Sequence, residues 1–86
     1  MVKGGKLLVL TIESTVGTIT RQYNENQPIK AVKKSAMAEL HIDPATADKY
    51  GLFLDNQRLP EDKTLKEAGV PNKATLLLSL LSAVVI

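Results

Sequence analysis

The sequence has no cysteine and no tryptophan, and its 86 residues include one histidine, one phenylalanine and two tyrosines. Without cysteine there is no disulfide, no thiol nucleophile and no thiolate ligand for zinc. The one histidine, His41, therefore lacks a nucleophile partner, and the acidic residues do not have the spacing of a calcium loop. We expect no enzyme activity, no cofactor and no metal site, and we expect His41 to interact with the dipole at a helix end.

Neither charge nor hydrophobicity indicates a nucleic-acid or membrane partner. The chain carries 11 basic and 9 acidic residues, a net charge of +2. Lys30, Lys33 and Lys34 predict a solvated helix edge, and few aromatic side chains are present to stack on bases. The apolar run at residues 7–10 is too short for a signal peptide. The run at residues 76–86 is about half the roughly 20 residues of a membrane-spanning helix. We expect a cytoplasmic protein.

The length predicts one domain over residues 1–86, with one modest core and no deep catalytic cleft. We expect residues 1–5 to form a flexible N-terminus and residues 82–86 to form an apolar C-terminal tail.

The first half of the chain predicts a hairpin followed by a helix. Residues 7–12 and 18–23 are rich in β-branched and aliphatic residues and flank a turn at residues 14–17. The helical face follows from the spacing of Ile29, Val32, Ala36 and Leu40. Asn26 or Gln27 would cap this helix, Pro28 suits its first turn, and it should end near His41, before Pro44.

The second half predicts three strands and one helical turn. Residues 51–54 and 57–59 form short strands around an Asp55-Asn56 turn, and Pro60 makes the second an edge strand or ends it. Residues 64–69 read as a helical turn, and the apolar residues 74–81 as a central strand. The order β-β-α-β-β-α-β predicts an α+β fold with one main helix packed across one face of a mixed sheet. If the last strand lies beside the first, that pair is parallel.

The stretch from Lys49 onward resembles the second half of ubiquitin without a gap, reading K-Y-G-L-F-L-D-N-Q-R-L-P-E-D-K-T-L-K-E-A-G-V. Residues 29–33 resemble the start of ubiquitin's helix, and residues 42–44 the turn after it. The resemblance spans about residues 6 to 82 and implies the ubiquitin-like β-grasp fold. The motif T-L-L-L-S-L near the end also resembles a subset of small bacterial ubiquitin-like proteins, which occur with activating, conjugating and deconjugating enzymes.

The resemblance directs attention to Phe53, which matches the central residue of ubiquitin's hydrophobic patch. Val16 falls near the patch residue of the first hairpin, and Ser79 matches the one on the last strand. If Leu52 and Leu54 face the core, alternation exposes Phe53 on the opposite face. A partner-binding site of Phe53, Arg58, Gln57, Ser79 and Val16 is then expected. The alternative places Phe53 in the core and Leu52 and Leu54 outside it.

The tail departs from the ubiquitin pattern. Ubiquitin-like modifiers end in Gly-Gly, whereas this sequence ends with Ser82, Ala83, Val84, Val85 and Ile86. Adenylation requires a thin extended tail, which β-branched residues obstruct. The resemblance also places the two most-used chain-linking lysines of ubiquitin at Gln57 and Asn72. Lys49, Lys66 and Lys73 remain as possible acceptor lysines.

Two functions stay open at this point. The first is a bacterial-type protein modifier served by activating and conjugating enzymes (E1/E2-like) and a deconjugating peptidase. The second is a non-covalent protein-interaction or self-assembly domain that is not conjugated. In self-assembly, the C-terminal residues 83–86 would add as a strand to the sheet edge of a neighbour. A frayed tail without a role, and a tail that folds back on the domain, are the alternatives for that segment.

Overall fold

A computed structural model describes residues 5–83 of the chain. Its elements are β1 (Leu7–Ser14), β2 (Gly17–Asn24), α1 (Ile29–Glu39), a 3₁₀ helix (Pro44–Lys49), β3 (Tyr50–Leu54), β4 (Gln57–Arg58), β5 (Thr75–Leu80) and a 3₁₀ turn (Leu81–Ala83). The strand order is β2-β1-β5-β3-β4. Only β1 and β5 pair in parallel among these strands. The predicted mixed sheet, with the first and last strands parallel, is confirmed.

The core lies between α1 and one face of the sheet. Alternate residues of β1, β3 and β5 point to this face because successive side chains of a strand point to opposite sides. The core side chains from these strands and from α1 are Leu8, Leu10, Ile12, Leu52, Leu76, Leu78, Ile29, Val32, Ala36 and Met37. Each fully buried aliphatic side chain of this size contributes about 1.5–3 kcal/mol. This burial fixes which face of each strand meets the helix and which remains outside.

The N-terminus of α1 is capped by backbone rather than by a side chain. Pro28 is the N-cap residue and makes no side-chain capping bond. The prediction that Asn26 or Gln27 caps the helix was therefore wrong. The N–H of Ile29 donates to the carbonyl of Lys63 at 2.8 Å, and that of Lys30 to the carbonyl of Glu61 at 3.3 Å. The loop before β5 thus supplies acceptors for donors that have no partner inside the helix.

The C-terminus of α1 is a Schellman motif with histidine in the left-handed position. His41 has φ 60°. The N–H of Ile42 donates to the carbonyl of Met37 at 2.8 Å, and that of His41 to the carbonyl of Ala38 at 3.3 Å. These two bonds satisfy the last carbonyls of the helix. The predicted end of the helix near His41 is confirmed.

One short segment agrees with the prediction and another was not predicted. Residues 64–69 make a single helical turn, in which the N–H of Ala68 donates to the carbonyl of Thr64 at 2.9 Å, and Thr64 and Glu67 form a capping box with two 3.0 Å bonds. Gly69 takes φ 77° and ends the turn, as predicted, while the N–H of Val70 donates to the carbonyl of Leu65 at 3.0 Å. The 3₁₀ helix Pro44–Lys49 was not predicted. Its signal is a capping aspartate followed by proline: Asp43 Oδ1 accepts from the N–H of Ala45 at 3.0 Å.

Candidate interaction surface

One row of side chains crosses four strands on the sheet face that points away from α1. The strand register pairs Glu13 of β1 with Leu77 of β5, Leu77 with Phe53 of β3, and Phe53 with Arg58 of β4. Laterally paired residues share a face of the sheet. We call Glu13, Leu77, Phe53 and Arg58 the outer row. It runs from an acidic end through two apolar side chains to a basic end.

Phe53 lies on the predicted face but is not exposed. Leu52 belongs to the core and Leu54 packs against it, so the predicted alternation is confirmed. The prediction of an exposed aromatic side chain was wrong, because Phe53 is only 7% exposed. A ring on the outer face of a sheet is buried only if neighbouring side chains cover it, and alternation along one strand does not report those neighbours.

The side chains that cover Phe53 meet above Gly51, because glycine has no side chain to occupy that space. A Cβ atom on Gly51 would lie 2.8 Å from Cδ2 of Leu81, 3.3 Å from Nε of Arg58 and 3.4 Å from Cε1 of Phe53. Leu81 comes from the 3₁₀ turn that follows β5, so the chain turns onto the outer face where the strand ends. Together with Leu77 beside it, this packing holds the Phe53 ring in one place.

Leu77 is the exposed apolar member of the outer row, and the sequence analysis missed it. Its side chain is 44% exposed. The resemblance to ubiquitin pointed instead to Ser79, which is paired with Gly51 rather than with Phe53. Pairing β3 with β5 in the correct register would have identified Leu77, since it lies directly opposite the ring.

Two other predicted members of the binding site lie elsewhere. Gln57 is paired with Leu54 and therefore belongs to the face opposite Phe53, so its placement beside the ring was wrong. Val16 is 62% exposed in the β1–β2 turn. The strand β5 separates β1 from β3 in the sheet, and the structure does not place Val16 in the outer row. Val16 remains an exposed apolar residue at the end of the first hairpin.

The two ends of the outer row differ in how their charges are satisfied. Arg58 forms an ion pair with Glu61 at 3.5 Å. The carboxylate of Glu13 forms no hydrogen bond or ion pair with any described residue. Three strand spacings separate Glu13 from Arg58, roughly 14 Å, so these two side chains are too far apart to neutralise each other. The acidic end is therefore available to a partner.

A shallow pocket of about 280 Å³ lies at the acidic end of the outer row. It is lined by Glu13, Phe53, Asp55, Asn56, Thr75, Leu76 and Leu77. Asp55 and Asn56 form the β3–β4 hairpin turn with φ 52° and 68°. Positive φ at both central residues is typical of a type I′ turn, which Asn and Asp tolerate. The turn therefore fixes the backbone of Asp55 at the rim of the pocket.

Lys33 connects the basic end of the outer row to the interior. It was predicted to be solvated, but it is 2% exposed. Its Nζ donates to the carbonyls of Ala47 at 2.6 Å and Tyr50 at 3.0 Å, and to Oε2 of Glu61 at 2.5 Å. Glu61 is also the partner of Arg58. The missed signal was the helical step of four from Ile29 to Lys33, which places both residues on the buried face.

Tyr23 is the one described residue whose pKa is clearly shifted. Its hydroxyl is buried and has no partner at hydrogen-bonding geometry among the described residues. Burial raises the pKa of Tyr23 above its ordinary value of 10.0, and the carboxylate of Glu39 raises it further. The Ser35 hydroxyl and Arg21 lower this pKa, although the Ser35 hydroxyl does not meet hydrogen-bonding geometry with Tyr23.

The remaining predicted site residues lie apart from the outer row. Lys49, Lys66 and Lys73 are exposed, as is Ser82. Ala83 lies in the 3₁₀ turn, while Val84, Val85 and Ile86 fall outside the described residues. Over residues 5–83, no group of three His, Asp or Glu side chains is placed to hold a metal ion. In the same part of the chain, no helix has the length and hydrophobicity to span a bilayer.

The fold is shared with solved structures, although no family profile and no curated protein matches the sequence. A chain from a structure described as molecular mimicry of SUMO that promotes DNA repair has a TM-score of 0.81 at 14% identity, over 91% of this chain and 96% of that one. Caldiarchaeum subterraneum ubiquitin has a TM-score of 0.74 at 20% identity, over 87% of this chain and 94% of that one. The N-terminal ubiquitin-like domain of the 4931431F19Rik protein has a TM-score of 0.74 at 17% identity, over 88% of this chain and 76% of that one. The chain therefore has the ubiquitin-like β-grasp fold.

Proposed function

We propose that this domain acts by binding other proteins non-covalently through the outer row of its sheet. The observation that carries the proposal is the position of Leu77, which is 44% exposed beside a Phe53 ring that is already packed. A partner that covers Leu77 gains apolar burial at about 25 cal/mol per Å². Ordering the site costs little, because the packing above Gly51 already holds the Phe53 ring and strand pairing fixes the backbone of Leu77.

The proposal is tested by replacing Leu77 with the photo-crosslinking residue benzoylphenylalanine in the cells from which the protein comes. The matched control carries the same residue at Leu7, which is 59% exposed on the same sheet face at the other end of β1. We expect protein adducts from position 77 that position 7 does not give. Excess unlabelled protein should compete these adducts, and Leu77→Asp should not. Equal adducts at both positions, or none at position 77, would contradict the proposal.

The second candidate is a bacterial-type ubiquitin-like modifier in the cytoplasm, joined to targets by a dedicated conjugation system. Two observations favour it: the fold shared with Caldiarchaeum subterraneum ubiquitin, and the exposed Ser82, two residues after β5 ends at Leu80. Mass spectrometry of the native protein tests it. A C-terminal peptide joined to side chains of other proteins would establish conjugation. Intact, unconjugated chains alone would leave the non-covalent function. Lys49, Lys66 and Lys73 are the acceptors to search first for chains of the domain itself.

A further inference from the structure

We infer that the partner docks a basic side chain and an adjacent large apolar side chain of one extended segment into the pocket at the acidic end of the outer row. This inference rests on the proposed function and specifies the chemistry of the partner. The basic side chain meets Glu13 and Asp55, and the apolar one meets Leu77 and the edge of Phe53.

Leu77 and Phe53 form the apolar side of the pocket. They are direct cross-strand partners, and both line the pocket. Leu77 still has 44% of its surface open, whereas Phe53 has 7%. Leu77 therefore provides most of the apolar surface that a partner can bury. Phe53 is already packed and forms the part of the pocket wall that a partner side chain contacts.

Glu13 and Asp55 give the pocket its negative charge. Both line the pocket, and neither carboxylate is paired with a described residue. No lysine or arginine is among the lining residues. The chain as a whole carries a net charge of +2, so the pocket is a local acidic patch on a basic domain. An acidic partner drawn by the overall charge would be repelled here, while a basic side chain is attracted.

The spacing of the outer row explains why the two partner side chains must be close together. Glu13 and Leu77 lie on adjacent strands, roughly 5 Å apart across the sheet, and Phe53 lies one strand further. Side chains on one face of an extended segment are spaced by roughly 6.6 Å. A basic residue and an apolar residue two positions apart therefore fit the distance from Glu13 to Leu77.

A display library of random peptides, selected on the full chain, tests the inference. We expect enrichment of Arg or Lys two positions away from Leu, Ile, Met, Phe or Trp. Synthetic copies should shift the amide resonances of Leu77 and Asp55 in an NMR titration. Glu13→Gln and Asp55→Asn should each weaken binding about two- to fivefold at low salt and less at high salt. Asparagine keeps the positive φ that the turn requires at position 55.

The matched control is Asp48→Asn, since Asp48 is also exposed and unpaired among the described residues but lies on the 3₁₀ helix. Affinity for the same peptides should not change. Selected peptides that are acidic or uncharged, or whose binding ignores Glu13→Gln and Asp55→Asn, would overturn the inference even if adducts form at position 77. A selection that yields no peptide binding at this pocket would also overturn it. The proposed function fails separately, through the loss of crosslinks at position 77.

Discussion

Replacing Lys33 by methionine tests whether the buried ion pair holds α1 to the rest of the domain. Lys33 is 2% exposed, and its ammonium group donates to two backbone carbonyls and one carboxylate. Methionine keeps most of the aliphatic stem but removes all three donors. The carbonyl of Tyr50 is then left without this donor, whereas that of Ala47 keeps the bond that it accepts from the N–H of Tyr50.

The expected loss follows from three terms. The Tyr50 carbonyl, left without its donor, costs about 1–3 kcal/mol, and the Ala47 carbonyl costs less because it keeps the bond from the N–H of Tyr50. Glu61 also loses little, because its side chain is 26% exposed and keeps the ion pair with Arg58 at 3.5 Å. Removing the buried ammonium also removes its desolvation penalty, which offsets part of the cost. We therefore expect Lys33→Met to lower the free energy of unfolding by about 2 kcal/mol. In a domain of this size that lowers Tm by roughly 8–16 °C.

Urea unfolding followed by circular dichroism measures this loss, and Lys34→Met is the matched control. Lys34 is the next residue of α1, is exposed, and forms no ion pair with a described residue, so its replacement should change stability by less than about 0.5 kcal/mol. Equal effects of the two substitutions would refute the reasoning. A double-mutant cycle with Glu61→Gln separates the ion pair from the carbonyl bonds.

Three further outcomes are expected. Phe53→Ala should lower the unfolding free energy by about 3 kcal/mol and Leu77→Ala by less than about 1, because only Phe53 is buried; equal losses would contradict the packing above Gly51. Tyr23 has its pKa raised in the folded state. Its contribution to the free energy of unfolding is therefore present below about pH 10 and is lost as pH rises through the folded pKa. Tyr23→Phe should therefore flatten the alkaline loss of stability in a pH series, and an unchanged slope would contradict this assignment. The exposed pair of Arg21 with Glu39 should show a coupling of about 0.2–1 kcal/mol in a double-mutant cycle; a coupling above about 2 would contradict its surface character.

The sheet and the main helix could be predicted because their signals are local. The aliphatic runs of β1 and β5 and the helical spacing from Ile29 to Ala36 each mark an element within a short window. The end of α1 could also be predicted from local sequence, because Pro44 disfavours helical geometry in the residue before it. The cap at Pro28 was missed because its partners come from residues 61 and 63, more than thirty positions away in the chain.

The errors at Lys33 and Phe53 have a common physical cause. Each side chain was assigned from its own residue type and its own element. Lys33 is buried because carbonyls of two other elements and the Glu61 carboxylate compensate its charge. Phe53 is buried because Leu81 and Arg58 meet above Gly51. Burial at both positions is decided by neighbours that tertiary packing supplies, and no pattern along one element contains that information.

The candidate site illustrates how the core and the outer surface of one fold are constrained differently. Inward positions such as Ile12 and Leu76 must fill the space beneath α1, so a resemblance in the core carries the fold. Outward positions meet solvent or a partner, and packing does not restrict their chemistry. The resemblance therefore transferred the face of Phe53 correctly but not its neighbours, since register places Glu13 and Leu77 beside it. An acidic pocket next to an exposed leucine calls for a partner chosen by the chemistry of these side chains, and the fold alone does not determine that partner.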